Sequence, residues 1–148
     1  MADKREIINA LRDAIEADAN VADLLGAGSK QIWEAFPRQT LTAPLMTWSW
    51  TQTPKPFAQP GCDEWAVQIN IFAGKWSTCR QIGNALQEFW TIPGQVPAGV
   101  TSTNYRLTGF RLLSSTEVPG IVRPQPQLGE LVLTVQQWAA VTRKRTTD

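Results

Sequence analysis

The side chains in this 148-residue chain that could do chemistry are few: two cysteines, some paired carboxylates, a glycine–lysine turn, seven tryptophans and a basic tail. There is no histidine. That removes Ser/His and Cys/His nucleophilic systems, the commonest general base, and most zinc sites. Cys79 is the one candidate nucleophile on a structured element, and it shares an apolar stripe with Trp76, Ile82 and Leu86. Such surroundings raise a thiol pKa and leave it inert. Cys62 falls in a Pro/Gly-rich loop, so the pair permits a disulfide without signalling one. "GAGSK" (Gly26 to Lys30) lacks the G-x-x-x-x-G-K spacing of a phosphate loop and follows a helix, so it reads as a C-cap and turn. Asp63–Glu64 and Glu16–Asp18 have no partners at metal-ligand spacing and read as solvated surface. Catalytic, metal and cofactor sites are therefore not expected.

The tryptophans divide into two groups. Trp48, Trp50 and Trp65 lie on the apolar faces of neighbouring strand patterns, and Trp76 and Trp90 on a helix stripe. Core packing accounts for these, since a base-stacking platform would interleave basic residues and these strands carry none. Trp33 and Trp138 are less determined and are candidates for a subunit contact. The tail residues Arg143, Lys144 and Arg145 form a weak basic patch, more in keeping with solvated ends than with nucleic acid.

Net charge is +1, which implies no global attraction to nucleic acid or membrane. The distribution is uneven: Met1 to Pro37 carries seven acids and four bases, net −3, while Thr101 to Asp148 carries six bases and three acids, net +3. A chain polarised in this way can meet copies of itself acidic face to basic face. No apolar run has the form of a signal peptide or reaches the ~20 residues needed to span a bilayer. Synthesis in the cytoplasm is the expectation. The length suits one domain over residues 1–148.

Hydrophobic periodicity supplies the elements that would position these groups. Ile7, Ile8, Leu11, Ala14 and Ile15 make one helical stripe, with Asp3 and Glu6 in its first turn. A short second helix has Asn20 as its expected N-cap and Gly26 as its stop. "QIWEAF" is a short extended piece ended by Pro37. "LMTWSWT" and "EWAVQINIFA" alternate with period two and predict a long-armed antiparallel hairpin around the proline-rich "QTPKPFAQPGC". The stripe Trp76, Cys79, Ile82, Leu86, Phe89 and Trp90 predicts a helix starting near Thr78, where Thr78 and Gln81 have capping-box spacing. Two more strands follow, "NYRLTGFRLLSS" and "GELVLTVQQWAA", separated by a Pro-rich loop over Thr116–Leu128 and followed by a tail that frays from about residue 141. The expected fold is α+β: a two-layer sandwich in which a mostly antiparallel four-stranded sheet carries both main helices on one face.

Several segments, in order, resemble the tail-completion or tail-terminator proteins of long-tailed bacteriophages. The opening pattern "xxLxxxLxxDxxVxxLLG" is met by Leu11, Ile15, Asp18, Val21, Leu24, Leu25 and Gly26. "QIWEAFPRQ" (Gln31 to Gln39) stands for the family's "xIYxxxxPQ" segment, and Ala43-Pro44-Leu45 leads into a strand. Val67, Gln68, Ile69, Ala73, Ile82 and Leu86 match its strand–helix unit. The resemblance covers about Glu6 to Phe89, and the Thr116–Leu128 segment departs from it.

The resemblance implies a non-enzymatic virion subunit that forms a homohexameric ring on the head-proximal end of the tail tube. Such a ring stops tube polymerisation and offers a surface to the neck. Partners would be other copies of the chain, the tube protein and a neck or head-completion protein, with DNA only passing through the lumen and no membrane contact. The acidic first helix and the basic C-terminal third are then candidates for the protomer contact. Pro54, Lys55, Pro56 and Phe57 in one loop and Arg123 in the other are candidates for docking on tube or neck. A head-side neck adaptor or stopper is the neighbouring reading. A different class is a monomeric module binding a ligand on the polar sheet face around Thr47, Ser49, Gln68 and Asn70.

Overall fold

The computed structural model describes residues 5–25, 32–33, 43–53, 62–90, 100, 102–124 and 126–144. Helix α1 (Arg5–Ala17) buries Ile7, Ile8, Leu11 and Ile15, the expected stripe. Burying each such side chain contributes ~2 kcal/mol. The break to α2 (Ala19–Leu25) is made by Asp18. Its Oδ1 accepts the backbone N–H groups of Asn20 and Val21 at 3.0 and 3.2 Å, so Asp18 is the N-cap rather than Asn20.

The strands are β1 (Ile32–Trp33), β2 (Leu45–Thr53), β3 (Cys62–Ala73), β4 (Tyr105–Val122) and β5 (Leu131–Lys144). They form one sheet in the order β1-β2-β3-β5-β4, with only β1 parallel to its neighbour. The fold is thus α+β as the periodicity implied, with five strands instead of four. The fifth is a two-residue strand too short to show an alternating pattern. β2 and β3 form the expected antiparallel hairpin, from Leu45↔Phe72 to Thr53↔Glu64. The loop residues 54–61 lie outside the described residues, as do Asp3, "GAGSK" and residues 91–99.

Helix α3 (Trp76–Trp90) begins two residues before the expected Thr78 cap. The Lys75 carbonyl already accepts the Cys79 N–H at 3.2 Å, so the turn at Gly74–Lys75 opens the helix directly. Its stripe packs on β3 and β5. At Gly83 the approach is close: a Cβ there would stand 3.0 Å from Gln136 Nε2, so the residue's lack of a side chain lets helix and sheet meet. α1 and α3 cover the same sheet face, and α2 bridges them.

That face carries the main core. Met46 and Trp48 of β2, Trp65, Val67, Ile69 and Ile71 of β3, Val132, Trp138 and Ala140 of β5, and Tyr105 and Leu107 of β4 pack on the helices. An aromatic chain crosses four strands within it. Trp50 meets Trp48, Trp65 and Phe110 at ring-centroid distances of 5.6, 6.0 and 6.0 Å, and Phe110 meets Trp138 at 5.0 Å. On the opposite face Leu45, Phe72 and Leu131 form a second, smaller cluster with Trp33, Val122, Leu128 and Leu133 at its rim.

Two expectations about the C-terminal third are corrected. Thr116 to Val122 belongs to β4 and not to a loop. Pro119 is tolerated there because β4 is an edge strand and Pro119 sits in a bulge, where no ladder N–H is required. Gly120, with φ of +86°, makes that bulge possible. The remaining connection is a short turn with a 3-10 segment at Pro126–Leu128, clasped by an Arg123–Glu130 ion pair. Nor does the chain fray at 141. Val141 to Lys144 continue β5, held between β3 and β4 through Cys62↔Arg143 and Tyr105↔Lys144.

Candidate assembly surface

The expected interaction residues do not gather at one place. Trp138 is fully buried and offers no subunit contact. Its indole N–H donates to Gln136 Oε1 at 3.1 Å, inside the core. The even-numbered residues of β5 from Val132 to Ala140 face the helices. Trp33 is half-buried on β1, against the smaller cluster. Arg123 is exposed at the β4–β5 turn. Arg143 and Lys144 are exposed at the end of β5. Pro54, Lys55, Pro56, Phe57 and Arg145 lie outside the described residues.

The sheet face away from the helices is a graded surface. At one end sits the apolar cluster of Leu45, Phe72 and Leu131. In the middle a polar ladder crosses three strands. Gln137 Nε2 donates to Gln68 Oε1 at 3.2 Å, Gln68 Nε2 to Asn70 Oδ1 at 3.0 Å, and Asn70 Nδ2 to Thr47 Oγ1 at 3.2 Å. Thr47, Gln68 and Asn70, three of the four groups of the ligand-binding reading, thus hydrogen-bond to one another and to Gln137, while Ser49 is exposed beside them. At the far end β4 and β5 carry basic residues, beside Glu64 of β3. Arg106 and Arg143 stand directly opposite each other across the β4–β5 ladder, with Arg111 four rows further in, opposite Ala139. Like charges in that arrangement repel. No ion pair among the described residues relieves them. The sequence contained all three arginines, but only the register brings them together.

Strand β4 is the outer edge of the sheet, 18 residues long or ~60 Å by strand geometry. It is bulged at Thr108, at Leu113 and over Pro119–Ile121. Bulges re-aim side chains, and two of these hold the large aliphatics Leu113 and Ile121 in solvent at 57% and 54% exposure. Sequence reasoning missed both because strict alternation fails where the ladder is interrupted. On the other edge β1 pairs with Met46 and Thr47 of β2.

The groups with chemical potential are structural here. Cys79 is buried, with its Sγ 3.6 and 3.7 Å from the carbonyl oxygens of Ile71 and Val132. Burial pushes its thiol above the ordinary cysteine value, the direction the apolar stripe predicts. Both cysteines are free thiols. A half-open cleft of about 250 Å³ lies between α3 and β4–β5, lined by Arg80, Gly83, Asn84, Gln87, Glu117 and Gln136. Arg80 Nε donates to Glu117 Oε1 at 2.6 Å and ties α3 to β4 beside it. Hydrogen bonding to Glu117 raises the guanidinium's pKa, and the same bond lowers that of the carboxyl. Both ends are exposed, so the pair adds little stability.

Glu6 does more for the architecture. It accepts the Asn104 N–H at 2.6 Å, the Ser102 hydroxyl at 2.9 Å and Asn104 Nδ2 at 3.2 Å, pinning α1 to the start of β4. Desolvation pushes its carboxyl up, but these donors together outweigh that and hold it below the ordinary glutamate value. Among the described residues no three His, Cys, Asp or Glu side chains cluster as metal ligands. No helix among them is long and apolar enough to cross a membrane.

No protein-family model and no curated protein sequence matches the chain. Solved structures do. A chain from the virion of a native gene transfer agent particle superposes with a TM-score of 0.57 at 16% identity. The match covers 92% of this chain and 97% of that one. At this identity the likeness is one of fold, end to end over both chains.

Proposed function

We propose that this chain is a structural subunit of a phage-like virion, and that its role is tail termination. In that role it closes a ring on the head-proximal end of the tail tube, stops tube growth, and joins the neck. The observation that carries the reading is the end-to-end sharing of a fold with a chain of a gene transfer agent virion, in which neither chain has a large unmatched segment. The ordered motifs from Leu11 to Leu86, which resemble tail terminators, favour this role among the virion's parts. So does the open sheet face, which grades from an apolar cluster through a polar ladder to arginines on β4 and β5.

The mechanism is geometric. A subunit that copies the tube's contact face on one side and lacks it on the other ends polymerisation. A head-to-tail interface whose rotation closes yields a ring instead of a filament. The near-neutral chain suits a lumen through which DNA slides without adhesion.

The test is removal of the chain from the particle-producing genome, with electron microscopy of what assembles. Tails of uncontrolled length, unattached to filled heads, are the expected result. Tails of normal length joined to heads refute termination. Density for the subunit on the capsid side of the joint, directly beneath the portal, would reassign it as a neck adaptor.

A further inference from the structure

The ring reading leaves open which surfaces join neighbours. We propose that Arg106, Arg111 and Arg143, on the open sheet face of one copy, dock on the exposed acids Asp13 and Asp23 of α1 and α2 in the next. This inference rests on the ring reading and specifies its joint.

Register builds the basic side. Odd-numbered residues of β5 point away from the helices, and residues directly opposite one another on neighbouring strands share a side. Arg106 faces Arg143 and Arg111 faces Ala139, so all three guanidinium groups leave the sheet on its open side. They do so within about 13 Å along the strands. Each is exposed, and none has a hydrogen-bond or ion-pair partner among the described residues. Glu64, opposite Val141 on the same face, has an interaction of its own that involves none of the three. Like charges gathered this way raise the energy of the free subunit, and an acidic partner relieves it.

The acidic side is the helix layer. Arg5 to Leu25 holds five acids and two bases. Asp13 and Asp23 are exposed, without a hydrogen-bond or ion-pair partner among the described residues. Between them Asp18 caps α2 through one oxygen and adds its charge to theirs. Glu6 is taken up by its clamp on Ser102 and Asn104, and Arg12 donates to Asn9 Oδ1 at 3.3 Å. The free carboxylates are therefore those of Asp13 and Asp23.

The two patches lie on opposite layers. α1 packs over β4 from the helix side, and the arginines leave β4 and β5 on the other. They cannot neutralise each other within one chain, and opposite faces cannot both touch one neighbour. A two-fold joint through either patch sets like charge against like. Pairing the arginines of one copy with the acids of the next is therefore head to tail, the contact that closes a ring or runs on as a filament. A second copy is also the occupant that charge balance favours over a polyanion. The net charges of Met1 to Pro37 and Thr101 to Asp148, −3 and +3, are equal and opposite, so each joint is complementary and leaves no basic excess.

Charge reversal in assembling particles tests the joint. Arg106→Glu, Arg111→Glu and Arg143→Glu together should lower incorporation of the subunit about tenfold or more, and so should Asp13→Lys with Asp23→Lys. Both chains should keep the circular dichroism spectrum of the unmodified one, because every changed residue is exposed. Supplied together, the two variants present opposite charges to each other at every joint of an alternating ring, and incorporation should return. Either variant incorporated at the unmodified level, or a mixture no better than its parts, overturns the joint while leaving the virion role standing. Particles that never contain the unmodified subunit overturn the functional reading itself. Binding of a duplex oligonucleotide by the unmodified chain that is lost in the triple variant assigns the arginines to nucleic acid and overturns the joint as well. A second measurement needs no reversal: Arg143→Lys keeps the charge and adds an amine, so a carbodiimide should link neighbouring copies in the particle through that residue and Asp13 or Asp23. Links from it to other acids only overturn the joint.

Discussion

Gln136 offers the sharpest test of how helix and sheet are joined. Its side chain is fully buried. Its Nε2 donates to the Gly83 carbonyl at 3.3 Å and its Oε1 accepts from Trp138 Nε1 at 3.1 Å. Gln136→Met keeps the length of the side chain and removes both polar ends. Two neutral hydrogen bonds at about 1 kcal/mol each are lost, and the buried Trp138 N–H is left unpaired, so the net cost is roughly 2–4 kcal/mol. For a domain of this size that corresponds to a melting temperature lower by roughly 6–12 °C. Trp138→Phe deletes the orphaned donor in advance. The two substitutions together should therefore cost less than their sum, by about 1 kcal/mol or more. Urea unfolding followed by circular dichroism measures all four corners of the cycle. If Gln136→Met changes stability by less than ~0.5 kcal/mol, or the pair is additive, the amide is filler and the reasoning fails.

Two further outcomes concern titratable groups. The Glu6 carboxyl sits below the ordinary glutamate value in the folded state, so the stability it contributes is full above that value and is lost as pH falls through the lowered one. Glu6→Gln should flatten the acid limb of the stability–pH curve and leave the slope near pH 8 unchanged; an unaltered acid limb counts against the Asn104–Ser102 clamp. Cys79 is buried with its thiol pushed up and Cys62 is partly exposed, so a disulfide reagent at neutral pH should titrate one thiol in the native chain and both in urea. Rapid modification of both thiols in the native chain would contradict the packing of α3.

The legibility of this fold varies with how local its causes are. The α1 stripe from Ile7 to Ile15 and the β3 alternation from Trp65 to Ile71 were readable because each element buries one face and its residues are spaced accordingly. The burial of Cys79 followed from the same stripe. β4 was read short because a proline and a glycine normally mark a loop, and only an edge position with a bulge lets a strand carry them. Trp138 was misplaced at a subunit contact because β5 has no clear apolar parity: Thr134 and Gln136 share its face, Leu131, Leu133 and Val135 lie on the other, and only the packing of the helices shows which face is core.

From its residues alone the chain's class was settled: one α+β layer pair, no histidine-based chemistry, and charge of opposite sign at its two ends. These follow from composition and from periods of 2 and 3.6, which act between near neighbours. What tertiary structure decided is which distant residues become neighbours. The facing of Arg106 and Arg143 and the solvent exposure of Leu113 and Ile121 both depend on strand order and register. Those are set by how whole strands trade hydrogen bonds across the sheet, and a bulge of one residue is enough to turn a side chain from core to water.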